Sequence, residues 1–136
     1  MKVGFTGTRL GMSRVQNTIF TGTLLMAKIG ELPEFHHGDC IGADAQAHLI
    51  ALKLGFIIHI HPPSNPKQRA FCTAHHDMTP KPYIERNHNI VDAVELMIAT
   101  PDEAIEQLRS GTWATIRYAW KRNRKIIIIG PNGEML

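Results

Sequence analysis

Cysteine is scarce: Cys40 and Cys72 are the only two in 136 residues. Two thiols make no disulfide framework, and a reducing, cytoplasmic setting is expected. No apolar run approaches the roughly 20 residues of a membrane-spanning helix, so no membrane role is expected. The longest, Lys125-Ile126-Ile127-Ile128-Ile129-Gly130, has the length of a buried strand. Met1-Lys2-Val3-Gly4-Phe5 shows no basic, apolar and cleavage segments in series, so no secretory signal is expected. Charge of one sign is also in short supply. The formal excess is only +3 with eight histidines counted neutral. Arg109, Arg117, Lys121, Arg122, Arg124 and Lys125 crowd the C-terminal part. Such a bias favours anionic ligands without demanding nucleic acid. Neither a Gly-Lys-Ser/Thr phosphate loop nor a Gly-x-Gly-x-x-Gly fingerprint occurs.

What is present suffices for one core. Hydrophobic residues make up 43% of a chain of single-domain length, read here as one domain over residues 1–136. Apolar runs at Val3–Thr6, Glu34–Gly38, Phe56–Ile60, Val94–Ala99 and Lys125–Gly130 predict five strands. Between them, helical spacing is visible. Ser13 and Gln16 form a capping box, with Val15, Ile19, Met26 and Ile29 as the apolar face, Gly22 as a point of close packing and Gly30 as the stop. Ala43, Ala47, Ile50, Ala51 and Leu54 mark a second helix ended by Gly55. A third opens at Pro82, with Ile84, Asn87 and Val91 on one face, and a fourth runs from Thr112 to Arg122 with Trp113, Ile116 and Trp120 on one side. Asp102 to Leu108 is expected to form one or two helical turns, and Ser64 to Thr79 a long, mobile surface excursion. Strands that read as apolar runs rather than alternations are buried on both faces. The expectation is therefore an α/β fold: a doubly wound, Rossmann-like parallel sheet of about five strands, order 3-2-1-4-5, with helices on both faces.

In such a sheet, ligands bind beyond the carboxyl ends of the strands. The first strand leads to Gly7-Thr8-Arg9, the second to Gly38-Asp39-Cys40-Ile41-Gly42-Ala43-Asp44, and the fourth to Arg109-Ser110-Gly111-Thr112-Trp113. Each sets glycine beside a small hydroxyl or acidic residue at a helix start, where backbone N–H groups and the positive helix end hold anions. Arg9 offers a bidentate phosphate contact. Any one loop is ordinary turn chemistry, and Ser13 and Asp44 read equally well as helix caps. Three in the same register point to a common ligand.

These stretches also carry a resemblance. Phe5-Thr6-Gly7-Thr8-Arg9, His37-Gly38-Asp39-Cys40-Ile41-Gly42-Ala43-Asp44, Ile84-Glu85-Arg86-Asn87 and Ser110-Gly111-Thr112-Trp113-Ala114-Thr115 resemble, in order and spacing over nearly the whole chain, the SMF/DprA–LOG (SLOG) superfamily of Rossmann-like nucleotide-binding domains, with an Arg-Asn pair as in its YspA-like branch. The resemblance implies recognition of a nucleotide or nucleotide-derived phosphorylated ligand. Gly7, Thr8 and Arg9 would approach from one side, and Gly38, Asp39, Gly42 and Asp44 from another. Ser110, Gly111 and Thr112 would take the phosphate, and Arg86 and Asn87 would line the pocket. Relatives that are phosphoribohydrolases end their Pro-Gly-Gly-x-Gly-Thr-x-x-Glu motif in a catalytic Glu; Thr115 stands there instead. Thr has no carboxylate to steady an oxocarbenium-like centre or position water, which argues against an enzyme. Asp39, Asp44 or Glu85 would have to supply that carboxylate in an N-glycosidase reading. A third reading, nucleic-acid binding as in the DNA-processing relatives, rests on the basic stretch from Arg117 to Lys125.

The remaining chemistry-bearing residues are weaker signals. His59 and His61 share one face of the third strand, and Cys72, His75, His76 and Asp77 cluster in the long excursion. Neither has the paired spacing of a structural zinc site, so no metal and no cofactor is expected. Cys40 at a helix start is a conceivable nucleophile, though a small half-buried residue is the default. Trp113 and Trp120 read as core or subunit packing, with base stacking by Trp113 the sharper alternative. The apolar residues of the last helix point to a homo-oligomer.

Overall fold

The computed structural model describes residues 1–136. Six strands form one sheet: β1 (Lys2–Gly7), β2 (Glu34–His37), β3 (Ile57–Ile60), β4 (His76–Asp77), β5 (Leu96–Thr100) and β6 (Lys125–Ile128). Every pairing is parallel, in the order β4-β3-β2-β1-β5-β6. The four helices are α1 (Arg14–Met26), α2 (Ala43–Lys53), α3 (Tyr83–Ala93) and α4 (Gly111–Lys121). The five strands legible in the sequence take their expected order, and β4 is added beyond β3.

Side-chain alternation along the strands divides the core into two layers. Val3, Phe5, Phe35, Ile58, Ile60 and Ile98 pack with Phe20 and Leu24 of α1 and with Ala43, Ala47 and Ala51 of α2. On the opposite face Met97 joins Ile90 and Val91 of α3 and Ala119 of α4, while Ala99 and Ile128 join Trp113 and Ile116 of α4. Phe5, Phe20, Phe35 and Phe56 are fully buried, each worth roughly 1.5–3 kcal/mol over exposure. The sheet centre must also admit helices closely. A Cβ on Gly4 would lie 3.1 Å from Ile90 Cγ2 of α3, and one on Gly7 would lie 2.5 Å from the Ala43 Cβ of α2.

Several local expectations are corrected. The buried face of α1 is Gln16, Phe20 and Leu24, whereas Val15, Met26 and Ile29 are exposed. The polar Gln16 holds this register. Its amide donates to the carbonyls of Pro101 (2.6 Å) and Ile129 (2.9 Å), just beyond the ends of β5 and β6. The Ser13–Gln16 capping box is present, but Ala27 caps the C-terminal end before Gly30, and Gly22 faces open space. On α3 the buried residues are Arg86, Ile90 and Val91, with Ile84 exposed; on α4 Trp120 is half-exposed. Asp102 to Leu108 forms bends and turns rather than helix. Ile105 and Leu108 project into solvent there, so a helix would have no apolar stripe to bury.

The excursion after β3 is tied down. The buried Asp39 carboxylate accepts from Arg69 Nε and from the Cys72 amide, both at 2.9 Å, and its carbonyl accepts from the Ala70 amide at 2.8 Å. The C-terminal residues turn at Gly133 (φ +87°) and come back antiparallel, bridging Met135 to Ile129, with the Leu136 amide on the Ile128 carbonyl. No helix is long and apolar enough to cross a membrane.

Candidate functional site

A cavity of about 490 Å³ opens at the carboxyl end of the sheet beside β1, from which the strand order proceeds to β2–β4 on one side and to β5–β6 on the other. Gly7, Thr8 and Arg9 line it from the end of β1, and Gly38, Cys40 and Asp44 from the β2–α2 connection. Arg86 and Asn87 come from α3, and Ser110, Gly111 and Thr112 from the start of α4. The three loops singled out in the sequence therefore meet at one hollow, joined by the Arg-Asn pair. Ser110 is the N-cap of α4, and its hydroxyl accepts from the Trp113 amide at 3.2 Å. The amides of Thr8, Arg9, Gly111 and Thr112 donate to no other backbone group.

Asp39 and Gly42 do not line the cavity. Asp39 turns away to bind the excursion, as described above. Gly42 (φ +99°) is a strut, because a Cβ there would lie 2.3 Å from the Arg9 carbonyl oxygen. Together with the Ala43 amide on the Thr8 carbonyl (3.0 Å), it seats the first loop against the second.

The electrostatics centre on Arg86. It is buried and forms no ion pair with any carboxylate. One terminal nitrogen donates to the Gly38 carbonyl, with longer approaches to Cys40 Sγ and the His61 carbonyl, both 3.4 Å. Its Nε has no partner. A buried guanidinium with an unused N–H and no carboxylate in direct contact has hydrogen-bonding capacity left for an anion. Asp44 is the buried carboxyl beside it. Burial pushes its pKa up to about 6, opposed by the Arg86 charge and the Cys40 amide. The Cys40 thiol is pushed up by burial and by the Asp44 charge, which corrects the suggestion of a reactive thiolate.

The sequence reading missed Tyr83, Asp102 and Arg109 as lining residues. Arg109 adjoins Ser110-Gly111, and that adjacency was an available signal. Tyr83 had none: its hydroxyl occupies the space of a Gly111 side chain, where a Cβ would fall 1.2 Å away. Thr115, at the position of the phosphoribohydrolase Glu, is buried and lies outside the cavity, its hydroxyl donating to the Gly111 carbonyl at 3.0 Å. Of the alternative carboxylates, Asp39 is held by Arg69, and Glu85 is exposed and 4.0 Å from Lys81. Of those three, Asp44 alone lines the cavity. Much of the basic stretch is also engaged. Arg117 pairs with Glu106 (2.9 Å) and Arg122 with Asp92 (3.1 Å), and Arg124 bonds the carbonyls of Val91 and Asp92.

The structure re-sorts the histidines. His59 and His61 lie with His36 and Glu34 on the sheet face opposite Phe35 and Ile58, and β4 brings His76 beside His59. Cys72 goes elsewhere, meeting the buried His37 and His48. His37 Nε2 lies 3.0 Å from His48 Nδ1, and burial drives the His37 pKa well below its ordinary value.

No family model matches the chain, and no curated protein matches it. Solved structures do. The molybdenum cofactor binding protein from the phototrophic bacterium Rippkaea orientalis aligns over 95% of this chain and 76% of its own, with TM-score 0.70 and 18% identity. The structural-genomics target TM1055 aligns over 94% and 73%, with TM-score 0.66 and 13% identity. DNA processing protein A (DprA) from Streptococcus pneumoniae aligns over 93% of this chain and 49% of its own, with TM-score 0.64 and 19% identity. These likenesses bear out the Rossmann-like α/β fold that the resemblance implied.

Proposed function

We propose that this domain, acting as one unit over residues 1–136 in the cytoplasm, binds a nucleotide or nucleotide-derived phosphorylated small molecule as a sensing or sequestering module. The observation that carries the reading is the buried Arg86 guanidinium lining the cavity with no carboxylate paired to it. The free amides of Gly111 and Thr112 at the start of α4, with Arg9 and Arg109 at the rim, suit a phosphate. The cavity lies within the usual size range of small-molecule sites. Ligand contacts are assigned to Gly7, Thr8, Arg9, Gly38, Asp44, Arg86, Asn87, Ser110, Gly111 and Thr112, and supporting roles to Asp39 and Gly42.

Calorimetry against nucleoside phosphates, ADP-ribose and cyclic nucleotides tests this. The molybdenum cofactor, taken from the name of one structural neighbour, joins the panel. Saturable heat with at least one member is expected. A folded sample silent to all of them refutes the reading.

One observation favours a second reading, cleavage of an N-glycosidic bond. A carboxyl with pKa raised to about 6 beside the cavity suits a general acid. Free base released from nucleoside monophosphates, and lost in Asp44→Asn, would establish it. Self-association is also proposed, with the half-exposed Trp120 of α4 in the contact; sedimentation equilibrium of the parent and Trp120→Glu decides it.

A further inference from the structure

The face of β2 and β3 that carries Glu34, His36, His59 and His61 belongs to neither hydrophobic layer. Parallel register sets His36 opposite His59, and Glu34 precedes His36 by two residues on the same face. One carboxylate oxygen, Glu34 Oε1, consequently lies 2.9 Å from His36 Nε2 and 3.3 Å from His59 Nε2. All three donor atoms fall within 4.8 Å of one another. We propose that Glu34, His36 and His59 form a binding site for one divalent transition-metal ion of the zinc type.

The donor set is two imidazoles and a carboxylate, which borderline ions such as Zn²⁺ favour, with a remaining position open to water. Metal–ligand bonds of roughly 2.0–2.2 Å put tetrahedral ligand atoms roughly 3.3 Å apart. The Glu34–His59 separation already has that value, and the Glu34–His36 pair needs only a small opening. The site is reachable, because Glu34 and His59 are partly exposed.

The surroundings fit a ligand set. His36 Nδ1 lies 2.8 Å from His61 Nε2. When a metal takes His36 Nε2, the ring proton resides on Nδ1 and is received by His61, the outer-sphere partner that ligating histidines require. His59 stacks almost parallel on His36 (ring centroids 4.3 Å apart, 7° between planes), with His76 on its other face at 4.5 Å, so binding requires the two ligand rings to rotate until their in-plane lone pairs meet. A metal would displace the proton that His36 Nε2 shares with the Glu34 carboxylate, at 2.9 Å, and leave that carboxylate oxygen to ligate. Lys2, opposite Glu34 in the register, carries an opposing charge on an exposed side chain that is free to turn away.

The competing set, His37, His48 and Cys72, is less suited. The Asp39 amide occupies His37 Nδ1, His48 meets His37 Nε2, and burial followed by Asp39 pushes the Cys72 thiol up to about 12, away from the thiolate a metal needs.

Untagged protein, stripped with chelator, is titrated with Zn²⁺ against a chromophoric chelator and with Co²⁺ by absorption. One equivalent is expected to bind, with a Co²⁺ spectrum lacking thiolate charge transfer. His59→Ala and Glu34→Gln should weaken uptake at least roughly tenfold, while Cys72→Ser leaves it unchanged. Circular dichroism confirms folding, and two variants at partly exposed positions guard against loss of one. No uptake by the parent overturns the proposal. So does uptake retained in both His59→Ala and Glu34→Gln, or uptake lost in Cys72→Ser.

Discussion

Arg86 is the side chain on which the proposed anion site turns. Replacing it with Met removes the charge but keeps much of the volume. Affinity for the phosphorylated ligand is expected to fall at least roughly tenfold, about 1.4 kcal/mol, by calorimetry. Fold stability is expected to fall by roughly 1–3 kcal/mol, because the Gly38 carbonyl loses its donor and Asp44 loses the neighbouring positive charge, so calorimetry is run on the variant shown folded by circular dichroism. Asp44 predicts a pH effect. Its pKa is raised on folding from 3.8 to about 6, so the native state holds the proton more tightly than the unfolded chain does. Its contribution is then fully present below pH ~4 and is lost as pH rises through ~6, a decline on the order of 1–3 kcal/mol. Denaturant melts of the parent and Asp44→Asn between those limits should diverge, the variant lacking this component of the slope. Parallel curves would mean that Asp44 is not buried as described.

The elements show where sequence reasoning reached and where it stopped. Strands and helices were visible because apolar runs and capping residues are local. Which face of α1 turns inward was not, since the decisive residue, Gln16, is polar and its acceptors, Pro101 and Ile129, are far along the chain. Gln16→Leu strands two buried carbonyls and should cost roughly 2–4 kcal/mol in chemical denaturation. β4 escaped notice because two residues have no period, and it exists only as a partner of β3. At the site, the loops were legible as glycine beside small polar residues. That pattern does not distinguish glycines that face a ligand from those that seat a neighbouring loop, and Gly42 is of the second kind. Gly42→Ala combines a positive φ with a collision on the Arg9 backbone. It should lower stability by roughly 1–3 kcal/mol and weaken ligand binding together, a joint loss that thermal melts and calorimetry on the same sample would reveal.

Over the whole molecule, the doubly wound order follows from parallel pairing and right-handed crossovers, which is why the position of the cavity could be named from the sequence. Distribution of charge followed less directly. The basic stretch near the C-terminus is the sole basis for the third reading, nucleic-acid binding, and Glu106 and Asp92 pair with two of its arginines. A gel-shift assay at low salt is accordingly expected to show no complex with duplex DNA. β6 is an isoleucine-rich border strand whose outer side is sealed, near Ile128 and Ile129, only by the returning C-terminal hook. Removing residues 131–136 would bare that border to recruitment by other copies. The trimmed chain should develop thioflavin-positive fibrils on incubation while the intact one stays clear, which would make these last residues the guard against self-templating aggregation.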